Sequence, residues 1–162
     1  EGLKHQRPGV TAAEVLSLLL ARPEGDRDTD LAREAFLPRA AEHALTCVWT
    51  GKTLSRFHVD HAIPWALWRT NDLWNLFPAD PEINSEKSNQ LPSRERVIDR
   101  RRAILESWEI LYQAHPRLFL SHASVFTGTI LKSFAAPGRE ELFDAFKDAI
   151  EFTAVNRGVG RW

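Results

Sequence analysis

Residues 57–65, Phe-His-Val-Asp-His-Ala-Ile-Pro-Trp, constrain this chain more than any other stretch. A short β-type run ends on an aspartate and a histidine side by side, and Pro64 closes it. Asn75 and Asn84 follow, with Lys87 three residues after the second asparagine. Neighbouring strand residues point to opposite faces, so Asp60 and His61 can serve two different tasks at one strand end. His58 shares the face of Asp60 by the two-residue period.

The texture around the motif predicts strands and a short helix. Cys47-Val48-Trp49 and Phe57-His58-Val59 are β-type runs, with Thr50-Gly51-Lys52 as a turn between them. Asn71-Asp72 marks a loop, and residues 74–78 read as extended. Pro81 opens a short helix over about 81–89, which puts Asn84 and Lys87 one turn apart on the same side.

Helices are expected elsewhere. Thr11 with Glu14 forms a capping box for a helix over 11–22, and a second spans 30–44 with Pro38 inside it. The acidic stretch between them reads as an exposed loop. Ser93 opens one long helix ended by His115-Pro116, residues to 134 give a less regular pattern, and 140–154 form an amphipathic helix. The fold class is α+β, a small ββα-metal site within a mostly helical chain. It divides into a helical segment (1–45), a core (46–93) and a helical extension (94–162).

Composition narrows the class. A net charge of −1 gives no global signature of nucleic-acid binding, so any such argument must be local. The single cysteine, Cys47, excludes an intramolecular disulfide and a Cys-rich zinc site; it suits small core packing and a reducing, cytoplasmic setting. No apolar run is long enough to span a membrane. A chain that starts at Glu1 and holds no methionine reads as a piece of a longer protein.

The motif residues suit phosphodiester hydrolysis, which needs a base for water and a cation for the charge that develops on phosphorus. His61 suits the base, since imidazole titrates near neutrality. Asp60 and Asn84 offer the hard oxygen ligands that Mg²⁺ or Mn²⁺ accepts. His58 is a further candidate ligand, and Lys87 can reach the phosphate. His5, His43, His115 and His122 lack ligand-like partners and read as solvent-facing or capping residues. Trp49, Trp65, Trp68 and Trp74 read first as core, and as base-stacking platforms second. Arg94, Arg96, Arg100, Arg101 and Arg102 read either as a solvated helix face or as a phosphate track.

Val59-Asp60-His61-Ala62-Ile63-Pro64-Trp65, Leu73-Trp74-Asn75-Leu76, Ile83-Asn84-x-x-Lys87 and Leu91-Pro92-Ser93, in this order, resemble the HNH endonuclease family. The likeness is greatest to members whose third motif position is Asn, such as the HNH domain of RNA-guided CRISPR nucleases. It implies a β-hairpin crossed by one helix around a single metal, and DNA as the partner. The implied catalytic set is His61 as general base, Asn75 pinning the loop that carries it, and Lys87. The implied metal ligands are Asp60 and Asn84. The family's lead-in often holds Cys-x-x-Cys; here Thr50 stands at the second position, which removes a structural zinc. The resemblance covers residues 46–93 and implies the nuclease part of a larger bacterial CRISPR-associated or other defence protein. The alternative is a non-catalytic nucleic-acid-binding or docking module that keeps the fold.

Overall fold

The computed structural model describes residues 26–162. The helix expected over 11–22 lies outside them. Helix α1 spans Asp30–Ala41, strand β1 His58–His61 and the short helix α2 Trp65–Trp68. A 3-10 turn, Leu73–Asn75, leads into β2 (Leu76–Ala79) and α3 (Pro81–Lys87). Four helices complete the chain: α4 (Arg94–Asp99), α5 (Arg101–Ala114), α6 (Pro116–Thr127) and α7 (Gly138–Arg157). The architecture is mostly helical around one two-stranded antiparallel sheet.

The strands pair His58 with Ala79, Val59 with Pro78, Asp60 with Phe77 and His61 with Leu76. Asp80 caps α3: its Oδ1 accepts from the backbone N–H groups of Glu82 and Ile83, and Pro81 takes the first helical position. This fixes the angle at which α3 leaves β2 and lays it across β1.

Several expectations need correction. Residues 47–49 form no strand. A single bridge joins Thr46 to Thr53, and Gly51 N–H donates to Cys47 O within a tight turn. Gly51 sits at φ +76°, a backbone conformation that glycine adopts without strain, and a Cβ there would lie 3.0 Å from the Arg100 guanidinium, the end of a flexible side chain. Residues 73–75 are a 3-10 turn rather than extended chain. The helix opened by Ser93 is interrupted at Arg100, whose side chain Nε donates to Val48 O at 2.7 Å, so the break sits where the helix is tied to the motif's lead-in. The segment after His115 is regular helix to Thr127.

The core is aromatic. Trp74 stacks on Phe126 at 3.8 Å between ring centres, and Phe77, Trp108 and Phe146 meet edge to face or tilted. Trp108 Nε1 donates to Trp74 O, so α5 supports the turn just before β2. Trp49 and Trp74 are buried and Trp65 and Trp68 half-buried. Among the described residues no helix is long and apolar enough to cross a membrane.

Candidate active site

The hairpin and α3 create a site with two sides. On one side of β1, α3 presents Asn84 and Lys87 to His58 and Asp60. Asn84 Nδ2 lies 3.4 Å from His58 Nδ1 on an exposed edge. Lys87 is fully buried, and its ammonium donates to Asp60 Oδ1 at 3.2 Å and to the backbone O of His61 at 3.0 Å. Trp49 Nε1 donates to the other carboxylate oxygen, Asp60 Oδ2, at 2.8 Å. Asp60 is 3 % exposed.

Lys87 therefore does not extend to a phosphate, as its sequence position had suggested. It locks α3 to the end of β1 by holding a carboxylate and a carbonyl at once. Burial dominates the proton affinities of the pair: it raises the Asp60 carboxyl and lowers the Lys87 ammonium, while their mutual attraction opposes both shifts.

On the other side, His61 is 2 % exposed. Its ring meets Trp65 edge to face at 5.8 Å. Nε2 lies 3.1 Å from Asn71 Oδ1, and Nδ1 is buried with no hydrogen-bond partner among the described residues. Burial, reinforced by the charges of Arg27 and Lys87 and opposed by the Asn71 contact, lowers its pKa to about 4. The ordinary near-neutral titration expected for the base is thus displaced. At neutral pH the ring is uncharged, the form that accepts a proton.

Asn75 is fully buried and clamps the chain just past His61. Its Oδ1 accepts from Ile63 N–H at 2.8 Å and its Nδ2 donates to Ile63 O at 2.9 Å. Both peptide groups of Ile63 are satisfied by one side chain, which sets the path of the loop from β1 into Pro64.

Other candidates have different tasks. Cys47 is buried and free, and its Sγ accepts from Asp80 N–H at 3.3 Å. His122 is half-buried and takes the capping role of the two expected: its Nδ1 accepts from Leu73 N–H at 3.1 Å at the 3-10 turn. Four of the five arginines of the run have partners within the protein. Arg100 binds Val48 O, Arg96 lies over the Trp162 ring at 3.7 Å, Arg101 meets Glu140 and the Phe143 ring, and Arg102 pairs with Glu106. Asn71 was legible only as a loop residue, and Trp49 only as core or, second, as a base-stacking platform. No local spacing signals either contact, because both partners arrive through the tertiary fold.

The His58–Asn84 edge offers a divalent ion one imidazole nitrogen and one amide oxygen, and leaves the other positions to water and to the Asp60 carboxylate. An imidazole nitrogen and a side-chain amide stand close together on open surface, and rotating the amide turns its oxygen toward the same point. Asp60 can join only by sharing an oxygen already held by Lys87 or Trp49. Among the described residues no three of His, Cys, Asp or Glu gather around one point, so such an ion would depend on the Asn84 oxygen and on water.

An antiparallel hairpin crossed by one helix, with the Asp-His pair at the strand end, defines a ββα nuclease motif. Residues 47–93 match the family model described as HNH endonuclease, and over this segment the chain is similar to that family. The match points to nuclease action on nucleic acid. No curated protein and no solved structure matches the chain.

Proposed function

We propose that the chain is a divalent-metal-dependent endonuclease that hydrolyses DNA. The observation that carries this reading is the crossing of α3 over β1, which brings Asn84 to His58 on an open edge of the strand that ends in Asp60 and His61. His58 and Asn84, with the Asp60 carboxylate beneath them, would hold Mg²⁺ or Mn²⁺. When bound, the ion supplies positive charge to the phosphorane and the leaving oxygen. The protein's own groups do the rest. His61 takes the proton of the attacking water at Nδ1, the ring nitrogen without a partner. Asn75 holds the loop behind it, and Lys87 fixes Asp60 and the His61 carbonyl, so both sides of β1 keep their relative position. The sequence resemblance extends the reading to the nuclease part of a larger bacterial defence protein of CRISPR-associated or other type.

A second reading draws on the burial of Asp60 and His61: a nucleic-acid-binding or docking module that keeps the fold and does not cut. One assay separates the two. The purified chain is incubated with plasmid, linear duplex, single-stranded DNA and RNA in Mg²⁺, Mn²⁺ or EDTA. Cutting of DNA in Mg²⁺ or Mn²⁺ that EDTA stops, with the thermal melt unchanged, supports the nuclease. Binding without cutting in either metal supports the module, and undiminished cutting in EDTA overturns the metal requirement.

A further inference from the structure

We infer that Asn71 is a positioning residue for His61, and that the backbone of residues 26–28 sets its orientation. The inference rests on the nuclease reading for the role of His61 and on hydrogen bonds alone for its geometry.

The two ends of a side-chain amide differ in chemistry but little in shape, so its orientation must come from its partners. Two backbone groups supply it here. Asp28 N–H, which can only donate, lies 3.1 Å from Asn71 Oδ1. Asp26 O, which can only accept, lies 2.9 Å from Asn71 Nδ2. Turning the amide over would set donor against donor and acceptor against acceptor. Oδ1 is therefore fixed as the atom that meets His61 Nε2 at 3.1 Å. An amide oxygen accepts and never donates, so Nε2 carries the ring proton of the uncharged imidazole. Nδ1 is left as a bare lone pair, and it is the nitrogen without a partner among the described residues. A segment that arrives from before α1 thus determines which nitrogen of His61 takes a proton from water.

The loop that carries Asn71 is held independently of its side chain. Thr70 Oγ1 accepts from Asp72 N–H, Asp72 Oδ2 accepts from Trp74 Nε1, and His122 Nδ1 accepts from Leu73 N–H. Substitution at Asn71 can therefore test the contact without dismantling the loop.

The experiment reads the tautomer of His61 directly. Metal-free full chain with ¹⁵N-labelled histidine is examined by NMR in alkaline buffer, where imidazoles are uncharged, and the His61 signals are assigned by their loss in His61→Ala. The parent should show a pyridine-type Nδ1 and a pyrrole-type Nε2. Asn71→Leu should blur this into a mixture of tautomers and slow cleavage by roughly 10- to 100-fold, the scale seen when a metal-bound histidine loses its orienting partner. Asn71→Asp keeps an acceptor oxygen for His61 but cannot donate to Asp26 O. It should retain the parent tautomer and cleave within a few-fold of the parent. An Nδ1-protonated parent overturns the inference, whatever the variants do. So does Asn71→Asp behaving like Asn71→Leu, because the residue would then act only as a tether for residues 26–28. The spectrum is independent of turnover: a locked tautomer in a parent that cuts nothing counts against the nuclease reading, whereas cutting with an unlocked tautomer counts against Asn71.

Discussion

Replacing Lys87 by methionine gives the most discriminating view of how the site is built. The two side chains are close in length, so Lys87→Met removes the ammonium and leaves the packing. In the parent that ammonium is fully buried and serves two acceptors, Asp60 Oδ1 and the His61 carbonyl. Without it, a carboxylate that is 3 % exposed keeps only Trp49 as a donor. Removing one partner of a buried ion pair costs about 3–5 kcal/mol, because the remaining charge has neither water nor counter-ion. A domain of this size is stable by about 5–15 kcal/mol, so the loss is a large share of the total. At roughly 2–4 °C per kcal/mol, Tm should fall by about 6–20 °C. The assay is urea and thermal unfolding of the parent, Lys87→Met, Asp60→Asn and the double variant. Asp60→Asn with Lys87→Met should be less destabilised than the sum of the single changes, by ~2 kcal/mol, since the second change removes the stranded charge. A Lys87→Met protein as stable as the parent but weaker on DNA would refute this. Lys87 would then be a phosphate contact after all.

Two other outcomes follow from the same geometry. His61 has a folded-state pKa of about 4 against 6.5 for the free side chain, so the unfolded chain binds its proton first as pH falls. Its contribution is whole above pH 6.5 and is lost as the pH drops toward 4, by roughly 3 kcal/mol. In denaturant titrations over that window, stability should fall more steeply for the parent than for His61→Gln; parallel curves would mean that His61 is not held uncharged. Asn75→Ala leaves both the N–H and the C=O of Ile63 unpaired inside the protein. It should cost about 2–5 kcal/mol in urea unfolding, and a loss below ~1 kcal/mol would show that the loop finds other partners.

The motif was legible because its spacing is local. Asp60 and His61 are adjacent, Asn84 and Lys87 lie one helical turn apart, and Pro81 announces the start of the helix that carries them. Strand, short helix and mostly helical surroundings followed from the same patterns. Contacts made by the tertiary fold were not legible. Lys87 reads from sequence as an exposed cation at a helix end, and only the closeness of α3 to β1 buries it against Asp60. Residues 26–28 read as an acidic loop, yet their backbone fixes Asn71, which is 43 residues from Asp28. The break at Arg100 was hidden because an apolar stripe continues across it; the contact with Val48 O comes from another part of the chain.

The most direct test of the central claim is plasmid nicking by His61→Ala beside the parent, in Mg²⁺ and with equal amounts of folded, DNA-binding protein. The parent should nick and His61→Ala should not, with its affinity for DNA retained. A His61→Ala protein that nicks as fast as the parent would contradict the claim.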